Sequence, residues 1–131
     1  MRRTALGLGL AALTATASAA PLDAYRGRAR VLVLSAPDAG DAQLKAQRAA
    51  LGPVRDGVAE RDLAVLEAVG SGAEARAMRT ALGLPADSFR AVLVGKDGGA
   101  KLTAASPIPP QRLFATIDAM PMRRSEMRER R

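Results

Sequence analysis

Phe89-Arg90-Ala91-Val92-Leu93-Val94-Gly95-Lys96-Asp97-Gly98-Gly99-Ala100-Lys101-Leu102-Thr103-Ala104-Ala105 is the stretch that decides the fold. Phe89 to Val94 is apolar apart from Arg90, which predicts a strand. Gly95 to Gly99 is a tight connection whose glycines accept positive φ. Lys101 to Ala105 is a short following strand, so the pair reads as a β-hairpin. An antiparallel pair here excludes a purely parallel sheet.

Upstream, Val31 to Leu34 is a continuous apolar run, the pattern of a strand buried on both faces. Ser35-Ala36-Pro37-Asp38-Ala39-Gly40 reads as a loop. A helix should begin near Asp38 or Asp41, either of which suits its cap. Leu44, Leu51, Val54 and Val58 share one face of it, and Pro53 predicts a kink or restart. Leu63 to Val69 is a second strand, ended by Gly70. Ser71 and Glu74 have capping-box spacing. Ala75, Met78 and Leu82 line the next helix, which Gly83 stops in left-handed geometry ahead of Pro85.

Downstream of the hairpin, Pro109-Pro110 opens a last helix with Leu113, Phe114, Ile117 and Met120 facing inward, limited by Pro121. The order is strand, helix, strand, helix, strand, strand, helix. A βαβ unit followed by a ββα unit is the minimal thioredoxin-like topology. The expected fold is therefore α/β, with a four-stranded mixed sheet and helices on both faces. The first two strands should be parallel with a right-handed crossover.

The 131 residues suit one domain. The apolar fraction of 48% overstates the core, because Ala alone supplies 29 residues. Small, tight helix packing is expected. There is no Cys and no His. That excludes disulfides, thiol redox chemistry, Cys-His or Ser-His couples and imidazole metal sites. Three aromatics, Tyr25, Phe89 and Phe114, are too few for a base-stacking surface. No cofactor and no sequence-specific nucleic acid partner is expected.

Residues 1–19 have the secretory signal pattern. Arg2 and Arg3 form the positive region, Ala5 to Ala15 the apolar one, and Ala17-Ser18-Ala19 the small-residue cleavage site. Pro21 disfavours a cut directly before it, which places the cut after Ala19. The apolar run is too short for a spanning helix. Residues flanking Arg2-Arg3 match twin-arginine export poorly, so general secretion is the reading. The mature chain is expected to be periplasmic or secreted. The formal charge of +7 falls to +5 once Arg2 and Arg3 are removed. Arg123 to Arg131 contributes five Arg against two Glu, so the body is close to neutral. The expected organisation is a domain over residues 20–122 and a basic tail over 123–131.

Three segments carry a family resemblance. They are Glu60-Arg61-Asp62-Leu63, Gly95 to Leu102, and Phe114 to Arg128, with Met120-Pro121-Met122-Arg123-Arg124 the most specific part. Together they resemble secreted domains of unknown function, the group called P-DUDES. These occur as short bacterial exported proteins and within animal matrix proteins, including sushi-repeat-containing ones. The resemblance spans roughly Leu22 to Arg128 and implies a thioredoxin-like fold. It implies no established activity. Thioredoxins place reactive cysteines where Ala36 to Ala42 stands here, and a proline where Ser88-Phe89-Arg90 stands. Both departures argue against oxidoreductase or peroxidase activity.

The candidate site residues are then Asp38, Asp41, Arg61, Lys96, Asp97, Arg123 and Arg124. Asp38 and Asp41 sit at the crevice edge of an α/β fold, as an acid-base pair, a weak cation site or simply helix caps. Lys96 and Asp97 lie in a glycine-rich turn that lacks P-loop spacing and reads as a hairpin. Arg61 pairs with Asp62 ahead of the second strand as part of a surface site or as solvated charge. Arg123, Arg124, Arg128, Arg130 and Arg131 suit an anionic surface or form a frayed terminal helix. The leading reading is a non-catalytic interaction module that binds an envelope or extracellular protein. The alternatives are a cysteine-independent enzyme using Asp38, Asp41 or Lys96, and polyanion binding through the Arg-rich tail.

Overall fold

The computed structural model describes residues 21–130. Residues 1–20, on which the expected signal segment and cleavage site fall, and Arg131 lie outside the described residues. A 3-10 turn at Asp23–Tyr25 precedes β1 (Arg30–Ala36). Then follow α1 (Ala42–Leu51), α2 (Arg55–Glu60), β2 (Leu63–Val69) and α3 (Ala73–Leu82). β3 (Arg90–Val94), β4 (Ala100–Ala104), α4 (Pro110–Asp118) and α5 (Pro121–Glu129) complete the chain.

The sheet order is β2-β1-β3-β4. β1 pairs β2 in parallel, from Arg30↔Leu63 to Ala36↔Val69. β3 runs antiparallel to both β1 and β4. This is the α/β arrangement the sequence predicts: βαβ plus ββα, thioredoxin-like, with helices on both faces. All seven residues of β1 are buried, as expected of a strand with neighbours on both sides. β2 is an edge strand and is only partly covered; Val65 is 38% exposed.

Alternation along β1 divides the core into two layers. Leu32, Leu34 and Ala36 pack with Ala91, Leu93, Leu44, Leu51, Leu113 and Ile117 beneath α1 and α4. Val31 and Val33 pack with Val92, Val94, Ala75 and Met78 beneath α3. Gly52-Pro53 interrupts the first helix as expected. A 3-10 turn at Gly52–Val54 separates α1 from α2, with Pro53 in its first turn. Gly52 holds helical φ −51° and ψ −51° ahead of proline, where a Cβ would crowd the ring.

Three local expectations change. The Ser71–Glu74 capping box does not form: Gly72 is the N-cap of α3 and no side chain caps it. The turn at Gly70, with φ +80°, carries Ser71 one position too early. α4 does end before Pro121, at Asp118, but the chain does not stop being helical there: Pro121 opens a further helix, α5, where its ring suits the first turn. The residues expected as a basic tail over 123–131 are helical as far as Glu129, and Arg123 is buried in the domain. Arg123, Glu126 and Arg130 have partners on the domain body, so packing there replaces the solvated fraying expected of a charged terminus.

Candidate functional site

The two poles of the sheet differ chemically. At the carboxyl end of β1, Asp38 Oδ1 accepts from the Gly40 amide at 2.9 Å. Asp41 Oδ2 accepts from the Leu44 amide at 3.0 Å and is the N-cap of α1. Both carboxylates thus serve their own backbone. Behind them lies Arg79, a buried cation not foreseen from the sequence. Its Nε donates to Ser35 Oγ at 2.9 Å, its Nη1 to the Gly70 carbonyl and its Nη2 to the Ala36 and Ala68 carbonyls. One guanidinium therefore ties the ends of β1 and β2 to α3.

At the opposite pole, β1 begins with Arg30, whose side chain is 1% exposed. Its Nη1 and Nη2 donate to Glu126 Oε1 and Oε2, each at 3.2 Å, and Nη1 also donates to the Arg61 carbonyl at 2.9 Å. Lys96 follows β3 and donates to Glu126 Oε2 at 2.7 Å and Asp62 Oδ2 at 2.9 Å. Asp62 stands between α2 and β2 with φ +48°, a left-handed conformation that aspartate tolerates better than most residues.

Arg123 projects from α5 into the same region. Its Nε donates to Asp118 Oδ1 at 3.0 Å and its Nη2 to Glu60 Oε2 at 2.7 Å. Arg61 completes the array: its Nε and Nη2 grip the two oxygens of Asp118 at 3.0 and 2.9 Å. Its guanidinium also lies 4.1 Å from the centroid of the Phe114 ring. Arg130 reaches the Glu60 carbonyl and, at 3.6 Å, Asp62.

Five cations and four carboxylates thus interlock α2, α4, α5 and the amino end of β1. Burial opposes ionisation of Glu126, but hydrogen bonds from Arg30 and Lys96 outweigh it and hold the carboxyl below its usual range. Burial likewise opposes ionisation of Asp118, and Arg61 and Arg123 overcome it. Arg123 hydrogen-bonded to Glu60 holds that carboxyl down as well. A general acid needs the opposite shift. These carboxylates stay ionised and act as counter-charges.

Of the sequence-predicted residues, Arg61, Lys96 and Arg123 come together in this network. Asp97 lies beside it but closes the hairpin, accepting from the Gly99 amide at 2.9 Å and from Lys101 at 2.8 Å. Arg124 is exposed on α5. Asp38 and Asp41 stand at the other end of β1, about 20 Å away for seven extended residues. Glu60, Asp118, Glu126 and Arg30 were not foreseen. Among the described residues no group of three or more His, Cys, Asp or Glu is placed to hold a metal ion. No helix there is long and apolar enough to cross a membrane.

The family profile described as domain of unknown function DUF4174 matches residues 21–126, from the 3-10 turn to Glu126 itself. The chain belongs to the DUF4174 family. The DUF4174 match includes Arg123 and Glu126 of α5, in keeping with the resemblance over Leu22 to Arg128 and beyond the domain bound expected at 122. The chain is also 32% identical to the rat sushi repeat-containing protein SRPX over 124 residues, covering 84% of this chain and 27% of the relative. The human SRPX is 33% identical over the same length and shares. The chain therefore spans about a quarter of the length of these curated relatives. No solved structure matches it.

Proposed function

We propose that this DUF4174 domain is an exported protein-interaction module without catalytic chemistry, periplasmic or secreted. The observation that carries the reading is the pole at Asp38 and Asp41. A thioredoxin-like enzyme would hold its nucleophile there, and here two carboxylates bond backbone amides instead. The composition supplies no thiol or imidazole anywhere in the chain. The match to a stretch of the sushi repeat-containing SRPX proteins supports a module that also works within larger chains. The secretory pattern of residues 1–19 supports export, and the P-DUDES grouping goes with it.

Polyanion binding through the arginines of α5 is the weaker reading. Arg123 and Arg130 are engaged with Glu60, Asp118 and Asp62, which leaves Arg124 and Arg128 on the outer side.

Crosslinking capture from native envelope tests the proposal, with wild-type protein and an Arg124→Glu/Arg128→Glu variant compared. Deleting residues 123–131 is the wrong control, because it removes the buried Arg123 and disturbs the fold. A discrete protein captured by both forms, and retained at about 1 M salt where screening acts within about 3 Å, is the expected result. Capture that vanishes in the variant or in salt would instead establish the polyanion reading.

A further inference from the structure

A cleft of about 160 Å³ opens where the β3–β4 hairpin meets the start of α5. Lys96, Asp97 and Lys101 line one part, and Met120, Pro121 and Met122 another, with Arg30 also contributing. The volume suits a single side chain and falls below the roughly 300 Å³ of ordinary small-molecule sites.

Four features define what fits. Two methionines and a proline make an apolar, adaptable wall. Met122 is 49% exposed, one of two large apolar side chains left open among the described residues. Of the three cations in the lining, Arg30 and Lys96 are compensated by Glu126 and Asp62, which leaves Lys101, paired only with the half-exposed Asp97, as the cation open to a ligand. Finally, Met120-Pro121-Met122 is the amino end of α5, a nine-residue helix with no side-chain cap, so the positive end of its dipole acts on a carboxylate together with Lys101. Arg30, buried against the same cleft, keeps its Nε without an acceptor.

We propose that this cleft receives a glutamate side chain from an acidic segment of a partner protein. The proposal rests on the interaction-module reading and names the partner's chemistry. The glutamate's methylenes lie against Met120 and Met122, and its carboxylate meets Lys101 Nζ. Lys101 is available because its present partner, Asp97, is half exposed, and such pairs exchange at little cost. Lys96 remains held by Asp62 and Glu126 and makes no bond to the incoming carboxylate.

The test is an NMR titration of ¹⁵N-labelled protein purified from its export compartment. The probes are a peptide alternating glutamate with alanine and its glutamine counterpart. The glutamate peptide should shift amides at 96–102 and 120–123. The glutamine peptide should bind about tenfold more weakly or worse, as expected for loss of a charge-assisted bond. Lys101→Glu and Met122→Asp should weaken the glutamate peptide similarly. Both positions lie outside the buried ion network, so folding is preserved. Arg124→Glu/Arg128→Glu, whose side chains do not line the cleft, should weaken binding less than Lys101→Glu does.

Equal binding of the two peptides, shifts confined to another surface, or no shift at all would overturn the cleft assignment. An equal loss in the Arg124/Arg128 variant would also overturn it, by showing general electrostatics. Capture of an envelope partner involves no peptide. A partner held equally by wild type and Lys101→Glu would remove the cleft and leave the interaction reading standing.

Discussion

Glu126 and Arg30, 96 residues apart in the chain, meet through two parallel hydrogen bonds of 3.2 Å and so tie the last helix to the first strand. Few apolar contacts assist them: Arg123 is the one buried residue of α5. The helix is docked by charge. Replacing Glu126 with Ala leaves Arg30, 1% exposed, with the Arg61 carbonyl alone. A loss of about 3 kcal/mol is expected from stranding a buried cation. An Arg30→Met/Glu126→Leu pair should cost clearly less than the two single changes together. Urea denaturation of wild type, Glu126→Ala, the two single changes and the pair measures both values.

The same contacts set the response to pH. Glu126, Asp118 and Glu60 are all held below their usual range. A carboxylate with a depressed folded-state pKa contributes stability that is fully present above its unfolded value, about 4. That contribution is lost as pH falls through the folded value. Stability should therefore be flat from neutral pH to about 5 and fall below about 4. Thermal melts across this range, repeated with Glu126→Gln, check the assignment. The variant should start lower and show a shallower acid decline.

Gln47 offers a different test, of the polar centre beneath α1. Its side chain is fully buried. Its Nε2 donates to the Ile108 carbonyl at 3.0 Å, and its Oε1 accepts from the Ile108 amide at 2.7 Å. Ile108 lies between Pro107 and Pro109-Pro110, so its amide is the only backbone donor in that segment. Gln47→Leu keeps the volume but orphans both groups, at about 2–4 kcal/mol. Hydrogen exchange should accelerate at the start of α4 before the rest of the sheet.

Gly57 is fixed by a neighbour, not by its dihedral angles. A Cβ there would stand 2.9 Å from Phe114 Cε2 and 3.2 Å from Arg61 Nη1. Phe114 cannot retreat freely, because the Arg61 guanidinium faces its ring. Gly57→Ala should gain up to about 1 kcal/mol in helix propensity and lose about 2 to crowding, a net destabilisation. Calorimetry of the pure variant reads the sign directly.

These residues also show what was legible beforehand. The unbroken apolar run at Val31–Leu34 and the glycine turn at Gly95–Gly99 each have local causes, so the sheet and its mixed pairing could be read from them. Gln47 and Arg79 were legible in principle, since each sits on an inward stripe: Gln47 between Leu44 and Leu51, Arg79 beside Ala75 and Met78. A polar residue on such a stripe signals a buried hydrogen bond. The α5 array was not legible. Its charge run looks like a solvated face, and its partners Arg30, Glu60, Lys96 and Asp118 sit in separate parts of the chain. Only tertiary structure brings them together.

The proposed recognition surface is the α5 pole, whereas Asp38 and Asp41 cap their own backbone. The most direct measurement is photo-crosslinking in native envelope from a photoreactive residue placed at Met122 in one protein and at Asp38 in another. An adduct to a discrete protein is expected from position 122 and none from position 38. An adduct from position 38, with none from position 122, would contradict it and return attention to the carboxyl end of β1.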